Sequence, residues 1–372
     1  MNQLSILWAM RGHPPATVTE LAGRAGLSRP AADVLLRGLV TDGWAEIEEP
    51  GPNSVVGRPA RRYRFRSTAG HVLGIDIGVH KILAIISDLE GNLVEQVRHP
   101  TDPEAGPESR LAAVDRAIDE VLRSAGMAPA DIWALTVGVT GPVDETGRTS
   151  LFTPLPGWQH IDAAAHLSGR FTCPIRVEND CKLAAVAERW KGVAQDADDI
   201  VFVLAGLRLG AGLILDGTLR RGYGGAAGEI GALRALRWLT APDHLKSCPG
   251  VPESVASGEA AAWVFQAARD GDQSAKTAVQ RFTRDLAIGL AALVLTLDPQ
   301  VVVYGGGFSR SADVILEPLR RELAKHCLRV PELRTSTLGD EGVALGAVRL
   351  ALDEVDARLL GPGLSAPVAP QR

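Results

Sequence analysis

The chain has 372 residues, a formal net charge of −5, 46% hydrophobic and 22% charged residues. These values fit a soluble globular protein with room for two or three domains, and the lack of any apolar run near 18 residues excludes a membrane-spanning helix. The first residues, MNQLSILWAMRGHPP, lack the basic and then apolar layout of a secretory signal; Cys173, Cys181, Cys248 and Cys327 form no C-x-x-C pair, which fits a reducing cytosol rather than a disulfide framework.

Charge is unevenly spread. Residues 1–66 hold nine arginines, no lysine and six acids, a net of +3, so the rest carries −8. A basic module on an acidic body points to a polyanion as partner of the module alone. Thr17 and Glu20 are spaced as a capping box, which predicts a short helix to about Ala25. Gly26 ends it, and Ser28 is a good N-cap for a second helix, with Pro30 in its first turn. Ala32, Leu35, Leu36, Leu39 and Val40 give that helix one apolar face. Helix, glycine turn, helix is a helix-turn-helix pattern, and Ser28, Arg29, Pro30, Asp33 and Arg37 are its candidate DNA contacts. WAEIEE and RRYRFR then read as two strands around the loop EPGPNSVVGRP, a hairpin wing. Arg58, Arg61 and Arg62 of its arginine strip suit phosphates or a narrow minor groove.

From residue 72 the pattern changes. VLGIDI, ILAIISD and LVEQVRH read as strands, and the plan returns in IVFVLAG, AGLILDG and TLRRG. Helical stretches follow each copy, at about 107–125 and in pieces over 258–297, with further strands at WALTVGV and VVVYGGG. The duplication predicts two similar α/β lobes facing a ligand cleft. Loops at Asp76–Gly78, Glu178–Asp180, Glu229–Gly231 and Gly305–Gly307 would line it. From residue type alone, Asp180 reads equally as a helix N-cap or as a carboxylate that accepts a sugar hydroxyl. Glu229 reads as a solvated loop acid or a ligand group, and the triple glycine as a tight turn or a close approach to a ligand.

Taken in order, GRPA, GIDIG, VGVTGPVDETGR, PLPGW, VENDCKLAAVAE, LGAGLILDG, GAAGEIG, PESVASG and VVVYGGG resemble the ROK family of sugar kinases and repressors over nearly the whole chain. The resemblance implies an α/β fold: an N-terminal winged helix-turn-helix followed by a two-lobed actin-like ATPase (ribonuclease H-like) body. The expected boundaries are a DNA-binding domain at 1–67, a first lobe at 71–181 completed by a C-terminal helix at 341–358, a second lobe at 182–340, and a disordered tail at 361–372. It also implies that Asn179, Asp180, Glu229 and Glu253 bind a sugar, that Asp180 is the base in a kinase, and that Asp76, Gly78, Gly210 and Gly306 bind ATP if ATP binds.

The departures are informative. Val79 stands in the first phosphate loop, where the kinases have Gly. The second loop reads Gly206-Leu207-Arg208-Leu209-Gly210 in place of G-T-G-x-G, with Arg208 either meeting an anionic ligand group or filling the empty site. Ala232 replaces the zinc-binding His of the family, and Cys248 is the only Cys in DHLKSCPGVPE, so neither metal nor cofactor is expected. The chain is therefore expected to be a cytoplasmic, sugar-responsive repressor of carbohydrate-utilisation genes. Its partners would be an operator duplex, a sugar or sugar derivative, and copies of itself in a dimer or tetramer. The alternative is an ATP-dependent sugar kinase with Asp180 as general base.

Overall fold

The computed structural model describes residues 2–48, 60–149, 153, 155–159, 161–256 and 258–360. The capping box of Thr17 and Glu20 forms: the Glu20 N–H donates to Thr17 Oγ1 at 3.3 Å, and the Thr17 N–H donates to Glu20 Oε2 at 2.7 Å. It starts the second of three helices, α1 (Asn2–Met10), α2 (Val18–Ala25) and α3 (Arg29–Thr41). Gly26, at φ 67°, ends α2 in the left-handed conformation, and Ser28 caps α3 by accepting from the Ala31 N–H. Three strands complete the module: β1 (Ala16–Thr17), β2 (Ala45–Glu48) and β3 (Arg62–Phe65), in the order β1-β3-β2. β3 alternates, with Tyr63 and Phe65 buried and Arg62 and Arg64 exposed, so the strip has one outward face. The wing loop, with Arg58, and the tail at 361–372 lie outside the described residues.

The first lobe contains β4 (His71–Ile77), β5 (Lys81–Asp88), β6 (Leu93–Pro100), α4 (Pro107–Ala125), β7 (Ile132–Val139), α5 (Ala163–Ser168) and β8 (Ile175–Asn179). Next come α6 (Asp180–Trp190), β9 (Ile200–Ala205), β10 (Leu209–Leu215), β11 (Thr218–Leu219), α7 (Asp243–Lys246), α8 (Ala260–Arg269), α9 (Gln273–Leu297), β12 (Val301–Gly305), α10 (Ala312–Leu323), β13 (Glu332–Thr335) and α11 (Gly342–Leu360). The sheets run β6-β5-β4-β7-β8 and β11-β10-β9-β12-β13, the same order twice, each an antiparallel hairpin pair followed by parallel strands. The duplicated hairpins were legible in the sequence; β8 and β13, which close the two sheets, were not.

Two helices join the lobes. α6 follows the first sheet in sequence but packs Leu183, Ala184 and Ala185 on the second, against Ile200 and Phe202. α11 follows the second sheet but puts Ala344, Val348 and Ala351 on the first, beside Val72 and Leu83. They cross at Gly346, where an added Cβ would lie 1.9 Å from the Leu183 carbonyl oxygen. Inside most helices Gly→Ala gains about 1 kcal/mol. Here Gly346→Ala is expected to reverse that sign and lose about 1–3 kcal/mol, read as a lower denaturant midpoint. An unchanged or higher midpoint would contradict the close crossing.

The N-terminal module is not a loose appendage. Ile6, Leu36, Trp44, Tyr63 and Phe65 share one apolar cluster with the first lobe and α11. Trp44 meets Trp133 edge to face, 5.5 Å between centroids. Arg11 pairs with Asp356 of α11 and donates to the Leu89 carbonyl, and the Gly12 N–H donates to Glu90 at 3.0 Å.

Candidate ligand cleft and nucleic-acid interface

On α3 the buried residues are Ala32, Leu36 and Leu39; Pro30, Val34 and Arg37 are exposed on the opposite side, and Arg29 is exposed at the helix start. Val34, 60% exposed, is an apolar side chain suited to a thymine methyl. Asp33 pairs with Arg37 at 3.1 Å, and the Ser28 hydroxyl is spent on the cap. The wing arginines differ from one another. Arg61 is exposed. Arg62 donates to the Pro15 carbonyl at 2.7 Å, and Arg64 pairs with Glu46 at 2.7 Å. The strip is thus only partly free for a ligand.

The cleft residues lie where β8 runs into α6. Asn179 is the N-cap, its Oδ1 accepting from the Lys182 N–H at 3.1 Å, while its Nδ2 donates to the Gly141 carbonyl at 2.9 Å and to Asp180 Oδ1 at 3.0 Å. Both amide hydrogens are engaged, so Asn179 aims Asp180 as well as facing the cleft. Asp180 is the first helical residue rather than the cap. It accepts from the Cys181 N–H and bonds the Thr140 hydroxyl. Burial, and then the nearby Asp76 charge, push its pKa up to about 7. Burial likewise raises that of Asp76, against the pull of Lys81, whose ammonium is 3.0 Å away.

Glu229 joins this group. It is half-buried, its pKa raised by burial and opposed by Lys182, a fully buried lysine that donates to the Gly225 carbonyl. Gly225 and Gly228 both have positive φ, and a Cβ on either would lie within 2.4 Å of a carbonyl oxygen, that of Val143 for Gly225 and of Ala211 for Gly228. The glycine-rich segment therefore threads between the two lobes. Glu178 faces the other way: buried, it receives Arg221 and so ties that segment to β8. Glu253 is not brought in. It is exposed on the Pro252–Val255 turn, and among the described residues no bond or charge contact ties it to Asn179, Asp180 or Glu229.

The sites that would hold ATP are engaged in other ways. The Gly78 N–H donates to the Lys81 carbonyl, and that of Gly206 to the Arg208 carbonyl. Buried Arg110 takes the Gly78 and Val79 carbonyls at 2.6 and 3.3 Å. A Cβ on Gly210 would meet Cys181 Sγ at 2.5 Å, and one on Gly306 the Ala205 carbonyl at 2.5 Å, so packing alone accounts for both glycines. Arg208 is exposed. The residues at the zinc segment do not fit a tetrahedral zinc. His244 Nε2 is held by buried Asp285 at 2.9 Å, and the Cys248 thiol donates to the Pro249 carbonyl.

Sequence reasoning missed Lys182, Thr140 and Arg110. Lys182 had a signal, a cation directly before the apolar stretch LAAVA. The other two make contacts distant in sequence.

Comparison with known proteins adds to this geometry. A model described as the ROK family matches residues 72–354, and one described as the IclR helix-turn-helix domain matches residues 2–48. A xylose repressor of Bacillus subtilis is 26% identical, with 95% of each chain covered, and one of Caldicellulosiruptor bescii is 24% identical, covering 95% of this chain and 96% of that one. A glucokinase of Streptomyces coelicolor is 26% identical but covers 76% of this chain and 98% of its own. Among solved structures, a ROK glucokinase of Streptomyces griseus in complex with glucose and AMPPNP superposes with a TM-score of 0.62 at 26% identity, over 76% of this chain and all of that one. A ROK transcriptional regulator described as a homologue of the E. coli MLC protein reaches 0.71 over 94% of this chain and 97% of that one; at 19% identity it speaks to the fold.

Proposed function

The chain belongs to the ROK family, and on that premise we propose that it is a sugar-responsive DNA-binding repressor of carbohydrate-utilisation genes, without kinase activity. The observation that carries the reading is a physical connection. α6 holds Asp180 and the Asn179 cap at one end. At its other end Trp190 packs into the cluster shared with the DNA-binding module. Arg349 of α11 lies over the Trp190 ring, 5.6 Å away, and pairs with Asp356, which also takes Arg11 of the module. Asp180 is only 6% exposed, so a sugar enters by opening the lobes. Movement of α6 with the second lobe would then displace Trp190 against the module. Such coupling requires the sugar to bind the DNA-competent and DNA-incompetent states unequally.

Among the described residues no helix is long and apolar enough to cross a membrane. We place the protein in the cytoplasm as a homodimer, since two half-sites on B-DNA suit a two-fold protein. Xylose is the first sugar to test, because two of the relatives named above that span both module and body are xylose repressors.

One observation favours a second reading, an ATP-dependent sugar kinase: a carboxyl with a pKa about 7 suits a general base near neutral pH. Against it stand the internally bonded Gly78 and Gly206 N–H groups and the side chains of Val79 and Arg208. Thermal unfolding with xylose, glucose and N-acetylglucosamine, each with and without Mg-ATP, separates the two. A sugar at a hundred times its Kd adds about 2.7 kcal/mol. The repressor reading expects one sugar to raise the Tm, Mg-ATP to add nothing, and that sugar to weaken binding to a duplex selected from a random pool. Unchanged duplex affinity under saturating sugar would sink it. A Tm rise with Mg-ATP that grows with sugar would establish the kinase.

A further inference from the structure

A second cavity, of about 660 Å³, lies behind α6 and includes none of Asn179, Asp180 and Glu229. Its lining brings together four guanidinium groups from four places in the fold: Arg176 of β8, Arg189 of α6, Arg221 after β11, and Arg349 of α11. Asp353 is the one carboxylate on that lining. Three of the cations have partners that turn part of their charge away. Arg189 pairs with Asp198, Arg221 with buried Glu178, and Arg349 with Asp353 and Asp356. Arg176 differs: among the described residues its guanidinium has neither a hydrogen bond nor an ion pair, although Glu178, Glu354 and Asp353 are near enough to pull on its charge.

Two further observations show unmet demand in this place. Arg189 Nε is buried and has no hydrogen-bond partner among the described residues. Burial, and next the like charge of Arg221, hold the Arg176 pKa below its usual value. An N–H donor out of contact with both water and protein costs free energy, and so do cations crowded in a half-enclosed space. A bound oxyanion would offset the crowded charge.

We propose that this cavity is a binding site for a small phosphate-bearing ligand, separate from the sugar cleft. Guanidinium groups match phosphate oxygens with paired N–H bonds. Groups arriving from four elements suit a tetrahedral anion, which accepts in several directions, better than a flat carboxylate. The volume is that of a small-molecule site, and Trp190 supplies an apolar wall for whatever carries the phosphate. Arg176 belongs to the first lobe and Arg221 to the segment that follows the second lobe's hairpin, so the ligand would bridge the lobes from behind. None of this depends on the sugar reading.

Calorimetric titration of the full chain with inorganic phosphate, pyrophosphate and citrate, at matched ionic strength, tests it. The expected result is saturable binding of pyrophosphate, weaker binding of phosphate, and weaker still of citrate. Arg176→Gln and the cavity-filling Thr218→Trp should each weaken pyrophosphate at least tenfold while the unfolding midpoint without ligand stays near that of the parent. Asp180→Asn and the Arg61→Ala, Arg62→Ala double variant should leave the pyrophosphate affinity unchanged. No saturable binding, binding that survives both Arg176→Gln and Thr218→Trp, loss in the Asp180 or wing variants, or tighter citrate than pyrophosphate would each overturn the proposal.

Discussion

Asp180→Asn is expected to bind sugar 10- to 100-fold more weakly and yet to unfold at a higher temperature than the parent at pH 8. The two effects share one cause. The Asp180 carboxyl is buried beside Asp76, and its pKa sits about 7 in the fold against an ordinary value of 3.8. Between those values the folded chain holds a proton that the unfolded chain has released. Stability without ligand therefore falls as pH rises from about 4 to about 7, and above pH 7 the whole penalty is present. It amounts to something on the order of 4 kcal/mol. Asn keeps the shape and can still accept from the Cys181 N–H, but it carries no charge to desolvate. The variant should gain several degrees at pH 8 and almost nothing at pH 4, where the parent is protonated. The sugar effect has the opposite sign because a hydroxyl donating to a carboxylate makes a charge-assisted bond, worth about 1.5–3 kcal/mol. Calorimetric melts at both pH values, with sugar titrations alongside, check both halves. A variant less stable than the parent at pH 8 would mean that Asp180 carries no burial penalty, and one with full sugar affinity that it does not touch the ligand.

The parts of this molecule that sequence could reveal are those whose cause is local. Thr17 and Glu20 are three residues apart and bond each other. The alternation of Arg62, Tyr63, Arg64 and Phe65 states which side of β3 faces inward. The paired hairpins announce themselves by apolar runs around Asp-Gly-type turns. What was hidden depends on distant partners. α6 reads as an ordinary apolar helix, and nothing in its own residues says that it crosses to the opposite lobe; Gly346, some 160 positions later, sets that crossing. Glu178 and Asp180 sit two apart, and local pattern cannot say that one faces Arg221 and the other the cleft, because a strand becomes a helix between them. Arg110, on the predicted helix at about 107–125, carries no local sign of burial; the loop carbonyls it reaches are 31 and 32 residues earlier. Glu253 was carried over from family resemblance, and the fold gives it no tie to the other acids. The resemblance ran further than the geometry at the phosphate loops too: the glycines survive, but packing against Cys181 and Ala205 is enough to require them.

The DNA-binding face should divide into two kinds of arginine. Removing Arg29 or Arg37 is expected to cost about 1–3 kcal/mol on the selected duplex, with relaxed preference at one base position each. Both are exposed, Arg29 at the start of α3 and Arg37 one turn from Val34, where a helix in the major groove meets base edges. Arg37 must first leave Asp33, but an exposed pair of that kind is worth about 1 kcal/mol at most, so the bond to a base edge outweighs it. Arg61 is different: exposed just before β3, it is positioned for a phosphate. Arg61→Ala should weaken every duplex alike and reduce the slope of log K against log salt by about 0.9. Arg62→Ala should change that slope less, because its guanidinium already serves the Pro15 carbonyl and holds β3 to the segment before α2. Fluorescence anisotropy over a series of salt concentrations, on the selected duplex and on a scrambled one, separates the classes. If all four variants lost affinity equally on both duplexes, α3 would not be reading bases, and the module would be held on DNA by charge alone.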